Sequence, residues 1–139
     1  MNGSRIEIVD HIDIDEAYGY LQSGNCGAVN LFVGTVRNHA NGKAVMKLEF
    51  EAYEPMALKE MRTIAEQAKR RWPLEKVIIL HVTGVKNIGE AVVLTGVSSS
   101  HRQAGFEACQ FLIDELKRTV PIWKKEYYED SSIWVNAHP

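Results

Sequence analysis

The spacing of apolar and polar residues changes repeatedly along this chain, and each change marks an element. Arg5–Val9 alternates with the two-residue period of a short strand. Asp13 then stands three positions before Glu16, a capping-box pattern that opens a helix running to about Leu21, and Ser23-Gly24-Asn25 ends it. Ala28–Val36 is rich in β-formers (Val29, Leu31, Phe32, Val33, Val36) and predicts a longer strand. The polar stretch Asn38–Lys43 carries Asn41-Gly42, a pair suited to a tight hairpin turn. The expected return strand, about Val45–Tyr53, sets Leu48, Phe50 and Ala52 against Lys47, Glu49, Glu51 and Tyr53.

The spacing then becomes helical. Pro55 suits a first helical turn, and Met56, Leu58, Met61, Ile64, Ala65 and Ala68 give the following helix an apolar side as far as about Arg71, where Trp72-Pro73 stops it. Val77–Thr83 and Ala91–Val97 read as two strands around a turn at Lys86–Gly89. Ser98-Ser99-Ser100 leads into a third main helix over about His101–Thr119, and an extended segment with strand-like Ile133–Val135 closes the chain. This order predicts an α+β fold with three helices rather than strict βαβ alternation.

Length and composition narrow the setting. The 139 residues suit a single domain over 1–139, with 45% hydrophobic and 24% charged residues. A net charge of -2 gives no bulk attraction for nucleic acid or an anionic membrane, so any anion site must be a local cluster. The N-terminus is charged where a signal peptide would be apolar, and no apolar run approaches the length of a membrane span. A reducing cytoplasm is the expectation. Cys26 and Cys109 match no metal or redox spacing, and Cys109 reads as a buried thiol among Phe106, Leu112 and Ile113. His11, His81 and His138 lack metal-like partners, so no metal is assigned; His81 is expected on a half-buried strand. Neither a nucleotide-binding fingerprint nor a serine-hydrolase elbow is present, and no cofactor is expected.

Three clusters carry candidate chemistry. Lys117, Arg118, Lys124 and Lys125 place four cations within nine residues, but Pro121 and Trp123 interrupt them. Pro ends a helix and pushes Val120 toward extended backbone, so Lys117 closes one element and Lys124 sits on the next. Two amines from different elements can converge on an anion; two solvent-facing lysines are the plain alternative. Trp123 is expected as a core anchor between them. If the amines converge, burial and mutual repulsion lower lysine basicity and suit one of them to proton transfer. Ser98-Ser99-Ser100-His101-Arg102 sits at a strand-to-helix junction, where free N–H groups and a Ser cap favour an anion. It reads either as a phosphate site or as an ordinary cap. Arg37, in Thr35-Val36-Arg37-Asn38-His39, reads as a phosphate clamp or a solvated hairpin residue, and His39 as surface.

Taken together, Gly34-Thr35-Val36-Arg37-Asn38-His39, Arg71-Trp72-Pro73-Leu74, Ser100-His101-Arg102, Phe106-Glu107-Ala108 and Lys117 through Glu126 resemble the large, catalytic subunit of molybdopterin synthase, over about Gly27 to Trp134. The resemblance implies an α/β hammerhead-type fold with a mixed or antiparallel sheet and a homodimer core. It also implies a small ubiquitin-like sulfur-carrier subunit whose C-terminal Gly-Gly thiocarboxylate enters the site, giving a heterotetramer. The implied reaction converts cyclic pyranopterin monophosphate to the molybdopterin dithiolene. By position, Lys117 and Lys124 match catalytic lysines. Thr35, Val36, Arg37, His101, Arg102, Lys117, Lys124, Lys125 and Glu126 fall at substrate-binding positions, with Thr35 departing from the Lys that relatives can carry. The alternative is a non-catalytic module that only docks the carrier tail.

Overall fold

The computed structural model describes residues 3–136. In chain order its elements are β1 (Ser4–Val9), α1 (Ile14–Leu21), β2 (Ala28–Thr35), β3 (His39–Ala40), β4 (Lys43–Ala44), β5 (Lys47–Ala52), α2 (Glu54–Arg71), β6 (Leu74–Val82), β7 (Gly84–Asn87), β8 (Ala91–Ser99), α3 (Arg102–Thr119), β9 (Ile122–Tyr127) and β10 (Ser132–Asn136). The strands form a four-stranded sheet in the order β1-β6-β8-β2, a second in the order β10-β9-β5-β7, and the small ribbon β3-β4. Among the described residues only β1 and β6 run parallel; the other pairs are antiparallel. The fold is α+β with mixed and antiparallel sheets and three helices, as the spacing predicts.

The helices cover the first sheet because each carries one apolar stripe. α2 buries Ala57, Met61, Ile64, Ala65 and Ala68 and lies along β1 and β6. α3 buries Gly105, Ala108, Cys109, Leu112, Ile113 and Leu116 and lies on β2 and β8. Met56, expected in the α2 stripe, is 40% exposed, and Ala57 takes the inward place. Central strands β6 and β8 are buried over nearly their whole length, which explains why both read as continuous apolar runs rather than alternating ones. Phe50 of β5 meets the His81 ring of β6 edge-on at 5.2 Å between centroids, so the second sheet closes against the first. His81 is consequently fully buried rather than half-buried, at 4% exposure.

Local signals behave as their chemistry dictates, with informative departures. The Asp13 carboxylate accepts the Glu16 N–H at 3.1 Å and caps α1. The Glu16 side chain, however, accepts from Arg5 at 2.8 Å instead of closing the reciprocal half of the capping box. Asn41 and Gly42 both take positive φ (52° and 76°), giving the tight turn between β3 and β4. Lys86 and Asn87, expected to open the turn Lys86–Gly89, instead end β7, which pairs with β5. Gly84 at φ 94° lets the chain leave the first sheet and enter the second. Val120 and Ile122, at 0% and 1% exposure, pin the crossing from α3 to β9, whereas Trp123, expected as the anchor, is 43% exposed. The reason is strand alternation: Ile122, Lys124 and Glu126 share the inward face of β9, and Trp123, Lys125 and Tyr127 the outward one.

Candidate active site

Lys117 lies in the last turn of α3, which ends when the Val120 N–H bonds the Leu116 carbonyl and Pro121 follows. Three residues beyond Pro121, Lys124 points inward from β9. Both amines line a cavity of about 110 Å³, whose walls include Phe32, Phe50, His81 and Ile122. An adjoining cavity of about 260 Å³ shares Thr35, Leu48, Lys117 and Lys124 with the first and adds Arg37, His39 and Glu126. The strand pairing of β2 with β8 slips between Gly34 and Thr35, and this bulge turns the residues after it toward the cavity mouth. The four positions Thr35, Arg37, Lys117 and Lys124, separated by up to 89 residues, therefore meet at one cleft.

Electrostatics single out Lys117. Its basicity is lowered first by burial, then by the charge of Lys124, then by that of Arg37. Lys124 has a counterion, since its Nζ stands 3.7 Å from Glu126 Oε2. Glu126 is only 5% exposed, and its other oxygen accepts a hydrogen bond from the Tyr128 hydroxyl. The cleft thus holds three cations and one buried carboxylate, a net positive lining suited to an anionic reactant. An amine that is easily deprotonated beside fixed positive charge can move a proton while its neighbours hold negative charge.

Other expected site residues lie elsewhere. His101 and Arg102 are exposed and line a separate cavity of about 430 Å³ with Gly27, Ser100 and Gln103. They begin the helix that Lys117 ends, and fifteen residues of α-helix span about 22 Å, so within one chain they do not share its cleft. No side chain caps this helix; the Ser99 hydroxyl donates instead to the His101 carbonyl at 2.7 Å. Val36 is buried at 2%, its N–H and carbonyl taken by Glu90 and Gly89, leaving it nothing to offer a substrate. Lys125 faces outward, over the rings of Tyr127 and Trp134 at 5.2 and 5.6 Å. Arg118 is exposed and paired with Glu115.

His81 and Tyr128 were not expected at the site, whereas His39, expected at the surface, is exposed and lines the larger cavity. His81 donates through Nδ1 to the Val82 carbonyl (2.8 Å) and forms part of the inner cavity wall. Its only signal was a histidine within an otherwise apolar strand. Cys109 is buried, as expected, with burial pushing its thiol up.

An α+β domain that gathers lysines from a helix end and a following strand around an anion-receptive cleft defines the class. Residues 8–119 match the MoaE protein family, and the chain belongs to that family. It is 46% identical over 125 residues to the human protein named molybdopterin synthase catalytic subunit, covering 90% of this chain and 66% of that one. The Arabidopsis thaliana protein of the same name is 42% identical over 132 residues, covering 95% of this chain and 64% of its own length. The chain thus spans about two thirds of the length of these relatives. Among solved structures, molybdopterin synthase from Staphylococcus aureus superposes with a TM-score of 0.88 at 36% identity, covering 94% of this chain and 95% of that one. A complex of subunits 1 and 2 of molybdopterin-converting factor from Helicobacter pylori contains a chain that superposes at 0.77 with 25% identity, covering 98% and 93%. Among the described residues, no helix is long and apolar enough to cross a membrane.

Proposed function

We propose that this chain is the catalytic subunit of a molybdopterin synthase, a sulfurtransferase of molybdenum cofactor biosynthesis in the cytoplasm, folded as one domain. It takes sulfur from the C-terminal Gly-Gly thiocarboxylate of a small ubiquitin-like carrier and adds it twice to cyclic pyranopterin monophosphate, forming the dithiolene. The observation that carries this reading is the convergence of Lys117 and Lys124 on one cleft, with Lys117 the amine of lowered basicity. Thiocarboxylate and cyclic phosphate are both anionic, so bringing them together requires fixed positive charge. Arg37 and Lys124 supply it, and Lys117 moves the proton that sulfur addition and opening of the cyclic phosphate demand. A module that merely docks a carrier tail has no use for a lysine of reduced basicity.

The carrier partnership draws support from the two-subunit complex of the Helicobacter pylori relative. His101 and Arg102 reach the substrate in this account only if a second copy of the chain brings its α3 start to the first copy's cleft, as a homodimer within a heterotetramer allows. The test is a turnover assay of Lys117→Ala with thiocarboxylated carrier and cyclic pyranopterin monophosphate. Dithiolene formation is expected to fall by about 100-fold or more; turnover near the wild-type rate overturns the assignment.

A further inference from the structure

The carboxylate of Glu126 is an unexpected component of a cleft built for anions, and the residue that holds it there belongs to no motif. Tyr128 lies just past β9 and is only 9% exposed. Its hydroxyl donates to Glu126 Oε1 at 2.5 Å, while Glu126 Oε2 faces Lys124 at 3.7 Å. The Tyr128 backbone is itself fixed, because its N–H bonds the Ser131 carbonyl in the turn to β10. Lys43 of the β3-β4 ribbon stands 5.2 Å above the ring. The contacts form a chain from the ribbon to Tyr128, Glu126 and Lys124, ending at the cavity wall shared with Lys117.

We propose that Tyr128 is a positioning residue that acts through Glu126: its hydroxyl holds the carboxylate aimed at Lys124, and so sets how strongly Lys124 repels Lys117. A carboxylate at 5% exposure needs hydrogen-bond donors to hold its orientation, and the phenol is one. Without the phenol the carboxylate is free to turn away, and Lys124 loses its counterion. The uncompensated Lys124 charge then discourages protonation of Lys117 further. The remaining groups around the two lysines are Arg37 beyond β2, His39 on β3 and His81 on β6, with Lys86 of β7 inward on the same sheet but separated from Glu126 by Leu48. Among these groups only Glu126 is negative, so its loss has no local substitute. The phenol is held above its ordinary pKa by the same carboxylate and remains a donor through neutral pH.

The inference rests on the proposed pairing of Lys117 with Lys124, but its test does not require turnover. Trace acetylation with acetic anhydride is followed by peptide mass spectrometry across pH, using exposed Lys59 as the internal reference. In Tyr128→Phe the Lys117 labelling curve is expected to shift to lower pH with an unchanged plateau, so that relative labelling near pH 8 rises about threefold. In Glu126→Gln, which removes the charge outright, the rise is about tenfold. Tyr127→Phe is the control: its hydroxyl donates to Glu49 on the outward face, and Lys117 labelling should not change. An unshifted Lys117 curve in Tyr128→Phe, or an equal shift in Tyr127→Phe, overturns the proposal. Should Tyr128→Phe prove poorly folded by circular dichroism, an unshifted curve in folded Glu126→Gln overturns it equally. A shifted curve in an enzyme that tolerates Lys117→Ala would sustain this inference while refuting the catalytic role of Lys117.

Discussion

Replacing Ile122 by Ala tests how the fold holds the two lysines in register. Ile122 is 1% exposed, opens β9 directly after Pro121 and pairs with Ala52 of β5. It shares the inward face with Lys124 and forms part of the cavity wall beneath it. The substitution deletes three carbons, about 2.4 kcal/mol of transfer free energy at ~0.8 kcal/mol per methylene. It also enlarges the void by roughly 80 Å³, worth about 2 kcal/mol more if the walls do not relax, at ~24 cal/mol per Å³. Because the site already borders a cavity, water entry and collapse reduce the second contribution, and a loss of about 3 kcal/mol is expected. Urea unfolding at fixed protein concentration measures it, with an unchanged m-value and a Tm lowered by about 10 °C. Turnover well below that Tm should also fall about tenfold or more, since displacement of Lys124 by a fraction of an ångström spoils alignment. A loss below about 1 kcal/mol, with m unchanged, would refute Ile122 as the anchor and return that role to Trp123.

Strand alternation on β9 predicts that Lys124→Ala lowers dithiolene formation at least about tenfold, whereas outward-facing Lys125→Ala lowers it less than about threefold; equal losses would contradict the assigned faces. Because burial, Lys124 and Arg37 all disfavour the charged form of Lys117, it should acetylate at lower pH than Lys59 in the same protein, and coincident pH curves would contradict the buried cation cluster. The linked stability follows in sign: a lysine whose folded-state pKa is lowered destabilises the fold while protonated and is released from that penalty as pH rises. Lys117→Met should therefore melt above the wild type at pH 7, and calorimetry should find the gap narrowing toward the ordinary lysine range. Gly105→Ala would set a Cβ 2.0 Å from Asn30 Oδ1, beneath α3, and denaturation should report a loss of about 1 kcal/mol or more.

Much of this was legible in the chain because local chemistry and tertiary structure agree. Pro121 announced a break between Lys117 and Lys124, and the structure uses that break to bring helix end and strand to one cleft. Asp13 and Asn41-Gly42 acted through contacts a few residues long, which a sequence states directly. The failures share a different cause. Trp123 was expected inside on its apolar area, yet alternation along β9 gives the inward place to Ile122, and Trp123 and Lys125 share the opposite face. His101 and Arg102, matched to substrate-binding positions, stand about 22 Å from Lys117 along one helix, a separation that spacing along the sequence does not reveal. β7 was not expected, and its last two residues fell in the expected turn Lys86–Gly89, because four residues reveal no period and the pairing partner β5 lies more than thirty residues earlier. His81 and Tyr128 could be recognised only once strands from both sheets were assembled around the lysines.

The account centres on one amine, and its exposed neighbour supplies the sharpest comparison. Lys117 and Arg118 are adjacent cations at the end of α3, one lining the cleft and the other exposed at 70% and bound to Glu115. Single-turnover dithiolene formation, with the enzyme in excess over cyclic pyranopterin monophosphate and thiocarboxylated carrier supplied for both sulfur transfers, should be nearly abolished by Lys117→Ala and essentially unchanged by Arg118→Ala. Comparable rates in the two variants would contradict the account.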